Sequence, residues 1–175
     1  MPPIALPAFA LVLCGFFFKL AVFPFHFWVP DIYQGAANET ASFVATLPKI
    51  AAVALLIRLM LLLPPGQEQF LILFFAVLAL SSMFYGNLCA LVQDDLKRLL
   101  GFSGIAHAGF ILLALLTMKA EGYGLAIYYI SAYALMNLAC FLAICAIAIK
   151  GENLHIDDLH GLSGEQPVLA FILAI

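Results

Sequence analysis

The sequence predicts an all-α fold, a polytopic transmembrane helix bundle, and three observations carry that prediction. Of its residues 66% are hydrophobic and only 10% charged, where ordinary globular chains are roughly half apolar and about a quarter charged. Mean hydropathy is +1.12, so the charges are too few to coat a surface in water. The apolar residues also fall into runs of about twenty, the length that crosses a hydrocarbon core at about 1.5 Å per residue. Finally, the runs lack the period-two alternation of barrel strands. Unpaired backbone groups in lipid cost several kcal/mol each, so every span must be helical.

Taken in order, the first run extends from about Ile4 to Phe23. Pro24 removes a backbone donor and clashes with the preceding turn, so the helix is expected to break there. A short amphipathic piece, Phe25 to Tyr33, is expected to resume briefly before Pro30. The second span covers about Ala41 to Leu63 and is stopped by Pro64-Pro65-Gly66. The third runs from Phe70 to Val92 and ends in a charged turn, Gln93 to Arg98. The fourth is Leu99 to Met118, followed by a turn at Lys119-Ala120-Glu121-Gly122, and the fifth is Leu125 to Ile149. A long polar connection, Lys150 to Glu165, leads to an apolar stub after Pro167 that is too short to cross. The expectation is a single membrane domain over residues 1–175, a fragment of a longer chain with about five long helices and a truncated sixth.

The cations of the Gln93–Arg98 turn and of the polar connection (Lys97, Arg98 and Lys150) outnumber those at the opposite ends (Arg58 and Lys119), which places the first group in the cytoplasm. The net charge of −3 is carried between the apolar runs and implies no nucleic-acid partner; the lipid bilayer is the expected surround. Cys14, Cys89, Cys140 and Cys145 all lie in apolar runs at no metal-ligand spacing and read as packing residues. His155 and His160, with Asp157 and Asp158, lie in a polar loop without a cysteine, so no metal site is expected.

Two lysines lie where lipid should not hold them. Lys19 precedes the Pro24 break by one turn, and Lys49 follows Pro48 deep inside the second span. A lysine at mid-span costs at least about 2.5 kcal/mol to insert, and such residues usually face the bundle interior at a functional site. The plainer alternative is snorkelling to an interface, which suits Lys19 better than Lys49. Pro48 frees the Val44 carbonyl and kinks its helix, and Ser42, Thr46 and Lys49 recur at helical spacing as a polar stripe. Ser103 and His107 form a matching stripe on the fourth span, although a lone histidine is also common as a satisfied core residue. Ser131 and Asn137 read as helix–helix hydrogen-bonding glue. Low dielectric disfavours charge on an amine, so lysines and a histidine on facing helices beside a broken helix are the parts of a proton relay. No phosphate-binding glycine loop, pair of haem ligands or nucleophile–base spacing is present.

Phe18-Lys19-Leu20, then Phe23-Pro24-Phe25-His26-Phe27-Trp28-Val29-Pro30-Asp31-Ile32-Tyr33-Gln34-Gly35-Ala36, resembles the antiporter-like membrane subunits of respiratory complex I. These are related to subunits of multi-subunit cation/proton antiporters. A second block agrees: Asn87-Leu88, Ala90-Leu91, and Lys97-Arg98-Leu99-Leu100-Gly101-Phe102-Ser103-Gly104-Ile105-Ala106-His107-Ala108-Gly109-Phe110. The resemblance covers nearly the whole chain. It implies about fourteen helices in two inverted repeats, of which only part is present, and proton translocation through buried lysines. Lys19 and Lys49 match the family's proton-path lysines, and His26, Ser103 and His107 join them as candidates. A glutamate on an earlier helix and a lysine on a later broken helix lie outside this sequence. Ala37-Asn38-Glu39-Thr40 stands where the family has a Pro-Thr-Pro-like turn, which leaves the start of the second span open.

The resemblance further implies a non-redox subunit of proton-translocating NADH:quinone oxidoreductase in a bacterial plasma membrane. Such a subunit binds no cofactor itself; NADH, FMN, iron-sulfur clusters and quinone sit on partner subunits, and the other membrane subunits of complex I are its partners. Two alternatives stay open: a subunit of a cation/proton antiporter or membrane-bound hydrogenase, and a structural membrane scaffold without transport.

Overall fold

A computed structural model describes residues 5–62, 68–148 and 152–174. Its helices are α1 (Ala5–Leu20), α2 (Val29–Gly35), α3 (Asn38–Leu61), α4 (Glu68–Ala90), α5 (Leu96–Leu115), α6 (Ala120–Ile147), a 3₁₀ turn at Ile156–Leu159, α7 (Leu162–Glu165) and α8 (Pro167–Ala174). No strand occurs among the described residues. α3 to α6 are each long and apolar enough to cross a membrane, whereas α1 is shorter. The chain is therefore a multi-pass membrane protein. The turn expected at Pro64-Pro65-Gly66 lies outside the described residues.

α4 packs chiefly on α5, and α3 on α6. Small residues make the first pairing close: a β-carbon at Gly86 would stand 2.6 Å from the Ala106 nitrogen, an approach typical of membrane helices that gain most from backbone proximity. One core, around Phe17, Leu56, Phe75 and Leu112, joins α1, α3, α4 and α5. A second, around Tyr33, Ala45, Ile105 and Phe141, joins α2, α3, α5 and α6.

The break in the first helix comes earlier than Phe23. α1 ends at Leu20, because Ala21 takes a left-handed backbone, φ 63°. The Val22 amide then donates to the Phe17 carbonyl at 2.9 Å and the Ala21 amide to Phe18 at 3.1 Å, the pattern that closes a helix C-terminus. Protein groups satisfy what the break frees. The Phe23 amide donates to Ser82 Oγ of α4 at 2.9 Å, and the Trp28 indole donates to the Phe18 carbonyl at 3.0 Å. Nor does the second arm end before Pro30. α2 begins at Val29 and takes Pro30 into its first turn, where a missing amide costs nothing and the fixed φ suits a helix.

The later starts also move. α3 begins at Asn38, within the segment that departs from the family turn, and α6 at Ala120. α5 begins at Leu96, three residues before the expected start, because Asp95 caps it by accepting the Arg98 amide. Lys97 and Arg98 are thus helical, not turn residues, and Lys97 is buried. Removing Lys97 from the loop cations cancels the imbalance on which the cytoplasmic placement rested. Ser131 is exposed, and its hydroxyl donates to the Ile127 carbonyl of its own helix at 2.8 Å. Among the described residues it bonds within its own helix and not to a neighbouring one, since a serine in an apolar helix finds its nearest acceptor one turn back.

Candidate functional site

Lys49 lies in the middle of α3 and is 2% exposed, an ammonium-bearing side chain enclosed by α3, α5 and α6. Its Nζ donates to the Gly104 carbonyl of α5 and to Tyr133 Oη of α6, both at 3.3 Å, and stands 5.3 Å from the Tyr133 ring centroid. Burial of an amine is tolerable only with such partners, and the ring face adds a favourable cation–π contact. Glycine at 104 makes room for the pair. A β-carbon there would lie 2.8 Å from both Lys49 Nζ and Tyr133 Oη.

From this pair the polar groups continue along α6. The His107 ring of α5 lies 5.0 Å from the Tyr133 ring, and His107 Nδ1 is joined to Tyr129 Oη at 2.8 Å. Lys49, Tyr133, His107 and Tyr129 therefore form one cluster among apolar helices, the first two buried and the last two half-buried. Thr46, one turn before Lys49, is buried and spends its hydroxyl on the Ser42 carbonyl at 2.8 Å.

The other candidates fall elsewhere. Lys19 is exposed at the surface of the described bundle, in an apolar groove shared with Gly15, Phe16, Pro48, Ala51 and Leu55. Lys49, the residue after Pro48, reaches instead to Gly104 and Tyr133 on α5 and α6. His26 is buried beside the break, stacked on Phe23 at 5.3 Å and 4.4 Å from the Tyr85 ring, with Nδ1 unpartnered among the described residues. Ser103 lines a groove between α4 and α5 with Asn87, Leu91, Leu99 and Ile156. The structure thus joins Lys49 to His107 and sets Lys19, His26 and Ser103 apart from them. Sequence reasoning missed Tyr129, Tyr133 and Gly104. The tyrosines carried a usable signal, since residues four apart share a helix face; Gly104 carried none before its neighbours were known.

The profile of the family described as "NADH:quinone oxidoreductase/Mrp antiporter, TM" matches residues 3–175. Among individual relatives, the chain is 53% identical over 173 residues to NADH-quinone oxidoreductase subunit N 2 of Opitutus terrae, covering 99% of this chain and 36% of that protein. Identity to the protein of the same name from Solidesulfovibrio magneticus is 55%, over 99% of this chain and 37% of the relative. The chain thus spans little more than a third of the length of the curated relatives it matches. Among solved structures, respiratory complex I from Thermus thermophilus aligns with a TM-score of 0.80 and 37% identity, over 98% of this chain and 37% of the matched chain. The Mrp complex from Dietzia aligns with a TM-score of 0.84 and 26% identity, over 92% of this chain and 30% of that one.

Proposed function

Because this chain belongs to the NADH:quinone oxidoreductase/Mrp antiporter transmembrane family, we propose that it translocates protons as part of a subunit N of proton-translocating NADH:quinone oxidoreductase. The observation that carries the reading is Lys49, a buried amine at mid-span whose acceptors among the described residues are a backbone carbonyl and a tyrosine hydroxyl. Among the described residues it pairs with no carboxylate, so its proton is held by neutral partners. Tyr133 accepts from the amine, and its hydroxyl and the His107–Tyr129 pair extend the set of groups that accept and donate protons. The resemblance carries Lys19 into the same path, and His26 and Ser103 stay candidates for it, at positions that need further polar groups or water to reach Lys49.

In this reading the chain is a non-redox part of the enzyme, binds no cofactor, and sits in a bacterial plasma membrane among the other membrane subunits. NADH, FMN, iron-sulfur clusters and quinone belong to partner subunits. A subunit of a cation/proton antiporter is the second reading, favoured by the fold shared with the Dietzia complex. Purifying the full-length protein from its source distinguishes them: quinone-reducing subunits accompany it in the first case and do not in the second. The relay itself is tested by replacing Lys49 with alanine or arginine in the full-length subunit and measuring protons pumped per electron in membrane vesicles. Normal pumping by both variants overturns it.

A further inference from the structure

Where α2 stops and α5 begins, a connected set of polar groups ties the two helices together. Arg98 Nη1 donates to Asp31 Oδ1 at 2.6 Å and to Gln34 Oε1 at 3.0 Å, and its Nε donates to Gln93 Oε1 at 3.2 Å. Gln34 Nε2 donates to Asp95 Oδ2 at 3.2 Å, while Asp95 Oδ1 accepts the Arg98 amide at 2.9 Å. Lys97 Nζ donates to the Ala36 carbonyl at 2.9 Å, at the end of α2 where the helix dipole favours a cation. The chain beyond α6 braces the same place, the Leu96 amide donating to Leu154 O at 3.0 Å and the Ile156 amide to Asp94 O at 2.9 Å.

One turn further along α5, Gly101 lies so near α2 that a β-carbon would stand 3.3 Å from Pro30 Cα. Gly104, which carries the carbonyl facing Lys49, follows on the same rigid helix, less than two turns from Arg98. We propose that Arg98 is a positioning residue for the Lys49 site: by clamping α2 to α5 it sets the Gly104 carbonyl against the Lys49 amine. The inference rests on the relay reading above.

The energetics fit a positioning role better than a stabilising one. The side chains of Arg98 and Asp31 are 29% and 75% exposed, and a screened ion pair of that kind contributes little to stability. The planar guanidinium, however, spans three acceptors from two elements and fixes geometry in a way an ammonium does not. Arg98 therefore holds a position without holding the fold, which makes its effect separable from assembly.

The test uses Arg98→Lys, Asp31→Asn and Lys49→Ala in the full-length subunit within the whole enzyme, reading assembly, protons pumped per electron, and the pH profile of pumping. The charged and titratable groups around Arg98 are Asp31, Asp95, Lys97 and His155; those around Lys49 are Tyr133 and His107. Arg98→Lys and Asp31→Asn are expected to assemble normally, to slow pumping by up to about a hundredfold, the scale for an ångström of misplacement, and to displace the pH profile. Normal pumping and profile in these two variants, with Lys49→Ala defective, overturns the clamp and leaves the relay standing. Loss of assembly in step with activity, at an unchanged profile, makes Arg98 a structural residue and likewise overturns it. Normal pumping by Lys49→Ala removes the relay, and the clamp with it.

Discussion

Gly104→Ala asks the most of the Lys49 site with the least chemistry. The new methyl carbon would lie 2.8 Å from Lys49 Nζ and from Tyr133 Oη, and to regain an ordinary 3.4 Å contact each atom must retreat by about 0.6 Å. A retreat of that size directly away from the methyl would lengthen both 3.3 Å contacts of the amine past hydrogen-bonding range. The effect on folding is small by comparison. Alanine gains about 1 kcal/mol over glycine in a helix interior, against overpacking that costs about 1–3 kcal/mol. The net change is expected to be neutral to about 2 kcal/mol destabilising, so assembly survives. Proton transfer, which depends on sub-ångström placement, is expected to fall by up to about a hundredfold. The assay is pumping per electron in vesicles that hold the full-length variant within its enzyme, normalised to assembled complex. Unchanged pumping at normal assembly would refute the claim that the Lys49–Tyr133–Gly104 geometry matters to the relay.

Lys49→Ala should abolish pumping while the enzyme still assembles, and Lys49→Arg should not rescue it, because a guanidinium keeps its proton; vesicle pumping of the two variants decides this. Tyr133→Phe keeps the ring against Lys49 and His107 but removes one of the amine's two acceptors, so pumping should drop with little change in stability, and a rate equal to the unsubstituted enzyme would exclude Oη from the relay. Ser82→Ala leaves the Phe23 amide at the helix break without its acceptor, a loss of about 1–3 kcal/mol. It should appear as a lower thermal midpoint of the full-length subunit, and an unchanged midpoint would mean that the break is satisfied another way.

Composition and run length alone set the solvent and the class of the fold. Runs of about twenty apolar residues with so few charges admit only membrane helices, and a lysine deep in such a run points to an interior position, which Lys49 takes and Lys19, nearer its run's end, does not. The motif around Pro24 likewise located the broken helix to within a few residues. The exact break and the helix starts needed tertiary structure, because they depend on partners distant in sequence. Ser82 receives the Phe23 amide, Asp95 caps α5 early, and Ala21 adopts a left-handed turn that no local propensity would choose. The same holds for the site. Lys49 and His107 were legible as polar residues on apolar faces, whereas Tyr133 looked like one more aromatic among many, and Gly104 like a small packing residue. Their roles come from where α5 and α6 cross α3, and a crossing is fixed by the shapes of three helices together, which no single stretch of sequence contains.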